Sequence, residues 1–224
     1  ANEAVYSTED IKKVIVHTIP LNLGIVTDIS PDVKLTLTPS CHILGSSMMH
    51  LHIGNGDHNI VYTGEMRFQE SFLFSRPTFN FPRAETLIIE STYGNKDDIF
   101  PDYELAVQRF VNSMNTTLSN RGMVLVPVPH IGLAQEILLI IDRYMALGKI
   151  AKTKMLVEKS IAEIWSIHEV YSEYLSEEIN NLVQQINKNR FFSGDFTIVQ
   201  SHILDNEPAV IVAPLFSEDG GPPQ

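Results

Sequence analysis

The sequence predicts an α/β fold in two parts: a strand-rich segment up to Gly94, then a segment whose strands alternate with helices around a mostly parallel sheet. Three observations carry this. Before Gly94, apolar and polar residues alternate at period two, as Val33, Leu35 and Leu37 do against Lys34 and Thr36. After Gly94, short apolar runs such as Met123 to Val128 are separated by stretches of helical period. The 224 residues, 44% of them hydrophobic, suffice for one good core or two small ones.

The elements follow in order. Ser7-Thr8-Glu9-Asp10 before Ile11, Val14 and Ile15 reads as a capped helix start. Asp32 to Leu37 is a half-buried strand, and Met48 to Ile53 with Asn59 to Thr63 flank Gly54-Asn55-Gly56-Asp57, a hairpin signal. Ala84 to Glu90 is a further strand that ends in a carboxylate. Beyond Gly94, helices are predicted over Asp102 to Met114, Gly132 to Leu147, Ile161 to Tyr171 and Ser176 to Asn189. Strands are predicted over Met123 to Val128, Lys154 to Val157, Phe196 to Gln200 and Ala209 to Val212, with both sheet faces covered. The tail from Ser217, containing Gly220-Gly221-Pro222-Pro223, reads as loop.

Composition narrows the function. Acids outnumber bases 27 to 16, a net charge of −11, which argues against a general polyanion-binding surface and predicts weak RNA affinity for the chain alone. No apolar run reaches the length of a membrane span and no signal-peptide pattern opens the chain, so no membrane partner is expected. The single cysteine, Cys41, excludes an internal disulfide framework and fits a reducing cytoplasm. Ala1 in place of Met fits an excerpt of a longer protein. Without a Gly-x-Gly-x-x-Gly or phosphate loop, a nucleotide-binding α/β domain is a poor reading.

Several residues carry chemistry. His42, in Cys41-His42-Ile43-Leu44-Gly45-Ser46-Ser47, presents an imidazole on a tight turn, a suitable zinc ligand. Val61-Tyr62-Thr63-Gly64-Glu65 ends a strand in a carboxylate, and Leu87-Ile88-Ile89-Glu90 runs into Ser91-Thr92-Tyr93-Gly94. His50 and His52, one residue apart on a strand, point to one face and read as core or surface residues. Pro127-Val128-Pro129-His130-Ile131-Gly132-Leu133-Ala134-Gln135-Glu136 opens a helix.

In order and spacing these segments resemble the metallo-β-lactamase/β-CASP RNA-processing nucleases, of the archaeal cleavage and polyadenylation specificity factor type. The resemblance implies that residues 1–94 are part of a metallo-β-lactamase β-sandwich, 95–213 the β-CASP cap domain and 214–224 a loop or tail. It implies zinc-dependent ribonuclease chemistry in mRNA 3′-end processing, with RNA in the cleft between the two domains. His42 then matches a metal ligand, and Glu65 stands where the family has an Asp that bridges two zinc ions. Glu places that carboxylate about 1.5 Å further out. Glu90 matches an acidic residue that hydrogen-bonds a ligand or catalytic histidine, with Ser91 and Thr92 beside it toward RNA. His130 and Leu133 match the family's RNA-binding helix start, where Leu133 replaces an arginine suited to hold a phosphate; both read as repacked.

Other departures follow from the same comparison. No His-x-His-x-Asp-His run precedes His42, and the histidines that follow the family's Gly-Gly-Pro segment are not in these 224 residues. Two protein ligands do not hold a dinuclear zinc site. The resemblance therefore implies a chain with zinc absent or incomplete, inactive alone. Its role would be RNA binding or scaffolding, as a homo- or heterodimer with a β-CASP nuclease. The other reading is a fragment of an active two-zinc ribonuclease whose remaining ligands lie elsewhere.

Overall fold

The computed structural model describes residues 5–54, 56–186, 196–199 and 207–215. Helix α1 (Thr8–His17) starts where its cap is written: the Asp10 carboxylate accepts from the Ser7 N–H at 2.9 Å and from the Ser7 hydroxyl at 2.7 Å. None of its residues is buried. Strands β1 (Thr27–Ser30), β2 (Val33–Pro39), β3 (Ser47–Ile53), β4 (His58–Tyr62) and β5 (Thr86–Ile88) form one sheet in that order. The first four pair antiparallel and β5 runs parallel to β4, so this sheet is mixed. Gly54 and Gly56 have φ of +64° and +91° in the predicted β3–β4 hairpin, a conformation that favours glycine.

The second part contains α2 (Tyr103–Ser119), β6 (Val124–Val128), α3 (Leu133–Ala146), β7 (Lys154–Glu158), α4 (Lys159–Val170), α5 (Glu177–Ile186), β8 (Thr197–Val199) and β9 (Ala209–Pro214). Its four strands are ordered β6-β9-β7-β8, all parallel. Val126, Val128, Met155, Val157, Val210 and Val212 point into one core with Val111, Leu138, Ile141, Ile161 and Trp165 of the helices. On the opposite sheet face Leu125 is 55% exposed.

Boundaries differ from the sequence reading in ways that have physical causes. Strand β1 lies outside every predicted strand, because Thr27-Asp28-Ile29-Ser30 has a single apolar residue and owes its place to pairing with β2. Helix α2 runs past Met114 to Ser119; Thr116 and Thr117 return their hydroxyls to the carbonyls of Asn112 and Ser113. Helix α4 begins at Lys159 directly after β7, since the Glu158 carboxylate accepts from the Ser160 N–H at 2.8 Å as its cap. Strand β5 covers three of the seven residues predicted, and β9 extends to Pro214. Residues 187–189, Gln200 and 216–224, which the predictions also covered, lie outside the described residues.

The stretch between β4 and β5 does not stay with the first sheet. Leu73 and Phe74 are buried in the helix core, and Cys41 and Leu44 pack against it. Glu136, 2% exposed on α3, holds this crossing: its carboxylate accepts from the Phe72 N–H at 3.0 Å, the Leu73 N–H at 2.8 Å and the Tyr103 hydroxyl. Burial, followed by the Glu136 charge, pushes the Tyr103 hydroxyl far above its usual range. Just before α5, the Ser176 hydroxyl donates to the Phe72 carbonyl at 2.7 Å and the Ser176 N–H to the Leu73 carbonyl at 2.8 Å.

By contrast, apolar residues of the first part face solvent. Ile25, Val26, Leu87 and Ile89 are each more than half exposed, and Ile29 and Ile88 about half.

Replacing Glu136 with Ala should lower unfolding free energy by about 2–4 kcal/mol in urea titration, because buried N–H and hydroxyl donors lose their acceptor. Glu136→Gln, which keeps one carbonyl oxygen, should cost less. An unchanged midpoint for the Ala variant would mean that the carboxylate does not anchor the crossing.

Candidate functional site

Two turns and a strand end build the site. The first turn, Cys41 to Ser46, joins β2 to β3. The Ser46 hydroxyl organises it by accepting from the His42 and Ile43 N–H groups, each at 3.1 Å, and donating to the Ile43 carbonyl at 2.7 Å. Cys41 sits at φ +58°, a left-handed conformation a side chain tolerates at some cost, and burial raises its thiol pKa. The second turn, Gly64-Glu65, leaves β4 with Gly64 at φ +54°. Ser40, wholly buried, fastens the two: its hydroxyl donates to the Glu65 carbonyl at 2.8 Å and its carbonyl accepts from the Arg67 N–H at 3.0 Å.

This fastening brings the predicted metal positions together. His42 Nε2 lies 3.7 Å from Glu65 Oε2, with both side chains substantially exposed. Glu90 joins them from the end of β5. Its N–H donates to Thr63 Oγ1 at 3.3 Å, and its carboxylate accepts from the Thr92 N–H at 2.8 Å. The Thr92 N–H chiefly, then the Thr92 hydroxyl, the Met66 N–H and the His42 charge, hold the Glu90 carboxyl below its usual value. Glu90 is thus an anion turned onto its own loop, and Ser91 and Thr92 are exposed in that turn.

The start of α3 packs under the His42 turn. A Cβ on Gly132, φ +82°, would lie 2.8 Å from Ile43 Cγ2 and 3.3 Å from the His42 carbonyl oxygen. Gln135, wholly buried, shapes this start: its Oε1 accepts from the Gly132 N–H at 2.7 Å and its Nε2 donates to the His130 carbonyl at 2.9 Å. His130 is partly buried beside it. Leu133 is not repacked into the core; it is 47% exposed on the first turn of α3.

Among the described residues no three His, Cys, Asp or Glu side chains come together as a metal-binding group. His42 and Glu65 supply two donors, and Glu90, with one oxygen on the Thr92 N–H, completes no three-residue metal group with them, so this donor set does not fit a four-coordinate zinc. The arrangement can hold a cation weakly or place a carboxylate beside an imidazole. His50 and His52 lie away from it, engaged with Arg83 and Asn59. Sequence reasoning missed Ser40, Thr63 and Ser46, whose hydroxyls set the turns. Their one signal was adjacency to Cys41-His42 and to Gly64-Glu65.

Over 224 residues, 97% of this chain, it is 43% identical to the transcription termination factor FttA of Cenarchaeum symbiosum. It is 42% identical to the factor of that name from Thermococcus kodakarensis over 226 residues, and 38% identical to that of Methanothermobacter thermautotrophicus over 213. Nearly all of the chain resembles archaeal transcription termination factors. It spans about a third of their length, 35% of the first and second and 34% of the third. No protein-family model matches it. Among the described residues no helix is long and apolar enough to cross a membrane.

Gly132→Ala should cost about 1–3 kcal/mol, since it adds a clash with Ile43 to a strained φ, and should shift the His42 amide resonance; an unmoved His42 amide would uncouple the turn from α3. Because the folded Glu90 carboxyl lies below its unfolded value of 4.5, its stabilisation is present above that value. It is lost as pH falls through the folded value. The Thr92 amide shift should follow this titration and cease to in Glu90→Gln.

Proposed function

We propose that this chain is a region of an archaeal RNA 3′-end-forming termination factor of the β-CASP type. In it, residues 1–94 form part of a metallo-β-lactamase sandwich and 95–213 the cap. The approach of His42 to Glu65 at 3.7 Å, with Glu90 beside them and the α3 start beneath, carries the reading, since three separate motif segments meet there. The exposed apolar residues on the first sheet support a sandwich completed by further polypeptide. The names and greater length of the relatives support a role in termination within a larger protein.

Within that protein the chain's own residues orient rather than react. Ser40 and Thr63 fix the turns, Gln135 sets the α3 start, and Glu90 presents an anion held ready for a donor from outside the chain. Alone, the chain does not hydrolyse RNA, because two donors hold no dinuclear zinc. It works as scaffold and RNA-facing wall, in a homo- or heterodimer with a nuclease of the same type, and acts on nascent RNA in the cytoplasm. A second reading, in which the complete protein is an active two-zinc ribonuclease, is favoured by the Glu65 carboxylate still reaching His42.

Elemental analysis of the purified chain should find fewer than two zinc ions, and a labelled RNA should stay intact with it; two tightly held zincs would overturn the inactive reading. Archaeal RNA polymerase stalled on a template should release transcript when given the complete gene product. Loss of that release on Glu65→Ala supports the active reading, and unchanged release supports the scaffold. Leu133→Arg should tighten RNA binding severalfold by adding a phosphate contact; no change would mean that this helix start does not face RNA.

A further inference from the structure

We propose that the adjacent rings of His50 and His52, with Asn59, Arg83 and Glu85, form a proton-sensitive latch that holds the 81–86 segment, and with it the β5 edge, against the β3–β4 hairpin. His50 is 3% exposed in the middle of β3, and its Nε2 lies 2.8 Å from the Arg83 carbonyl. A carbonyl only accepts, so Nε2 carries the hydrogen. His52 Nδ1 lies 2.7 Å from Asn59 Oδ1, while the Asn59 amide nitrogen donates to Glu85 Oε2 at 2.9 Å. His52 Nδ1 therefore carries its hydrogen too. The ring centroids are 4.1 Å apart, and Phe81 meets His50 edge-on at 5.4 Å.

Glu85 closes the latch. Its N–H donates to the Asn59 carbonyl at 2.9 Å, its carboxylate accepts from the Asn59 N–H at 2.7 Å, and Arg83 Nε donates to its other oxygen. Arg83 Nη1 reaches the Gly56 carbonyl at 3.2 Å. The charged and titratable groups around the pair are few. Lys34 of β2 stands opposite His52 and pairs with Asp28 at 3.5 Å; Arg83 and Glu85 come from the segment itself; His58 of β4 bonds Thr86 Oγ1 at 3.0 Å. Arg83 and Glu85 already balance each other. A proton added to either imidazole is an extra cation beside Arg83 and Lys34, and two protons put two cationic rings with centroids 4.1 Å apart.

Burial chiefly, then the neighbouring His52, lowers the His50 pKa; the Arg83 carbonyl and Glu85 act the other way. With the folded value below the unfolded 6.5, the stabilisation from neutral His50 is full above 6.5 and is lost as pH falls through the folded value. Acid favours a state in which His50 leaves the gap between His52 and Phe81 for water and releases the Arg83 carbonyl. The Thr63 N–H, which donates to the Ile88 carbonyl at 3.0 Å, then loses a fixed partner. The consequence for Glu90, two residues beyond β5, rests on the proposed function; the latch itself does not.

Hydrogen exchange by NMR on the whole chain tests it, with rates at pH 7.5 and 5.0 corrected for intrinsic exchange. Protection of the Glu85 and Thr63 amides should fall about tenfold at pH 5.0 while that of Leu35 and Leu51 holds. His50→Phe, which keeps a ring without the proton site, should abolish that difference. A uniform change across all amides, or a response that survives in His50→Phe, overturns the latch. If His50→Phe does not fold, side-chain titration of the unaltered chain decides. A Glu85 amide that follows the His50 midpoint supports the latch; His50 titrating at the ordinary value with no Glu85 response overturns it.

Discussion

The Glu136 carboxylate is the constraint on which the arrangement depends. A carboxylate this buried needs donors on both oxygens, and it finds them on a segment more than sixty residues away in sequence, at Phe72 and Leu73. Satisfying it draws the chain between β4 and β5 out of its own sheet and into the core of the second part, where Leu73 and Phe74 become core residues. With that crossing in place, the first turn of helix α3 packs under the Cys41 to Ser46 turn. A Cβ at Gly132 would lie 2.8 Å from Ile43 Cγ2, so any side chain there forces the turn or the helix start to shift.

Placement at the candidate site is accordingly a matter of backbone, not of side-chain networks. His42 and Glu65 both ride on turns, and buried hydroxyls of Ser40 and Thr63, with the Ser46 hydroxyl, hold those turns. Their reactive groups are exposed while their anchors are not. This separates two kinds of sensitivity. A change at Glu65 alters what the site can bind and leaves the fold alone. A change at Ser40 strands buried polar groups and moves both turns at once.

Much of this was legible in the sequence. Strand alternation gave β2 to β4, paired glycines gave the hairpin, and apolar runs between helical stretches gave the parallel sheet. The motif segments that carry His42, Glu65 and Glu90 stand apart in the sequence, and the turns place these three side chains near one another. What could not be read was set by partners distant in sequence. Strand β1 has one apolar residue and exists by pairing. Nothing in the Pro127 to Glu136 segment marks Gln135 and Glu136 as buried fasteners, because burial of a polar residue depends on donors supplied from Phe72, Leu73 or Gly132. Leu133 looked like a repacked residue and stands half-exposed, since its helix neighbours Ala134 and Leu138 already fill the core face.

The contrast between Leu133 and its neighbours bears on what this chain does. On one turn of α3, Gln135 and Glu136 keep polar side chains buried at a cost that only their hydrogen bonds offset. Leu133 leaves an apolar side chain in water where the resembling family has a cation. A fold under pressure to bind phosphate there would do the reverse at Leu133, since an exposed arginine costs little and a half-exposed leucine contributes little to stability. The physical account of α3 is therefore complete without RNA: its first turn is shaped to seat the His42 turn and anchor the crossing. The scaffold reading needs no more than that from this helix, whereas a nuclease reading needs its phosphate contacts from elsewhere.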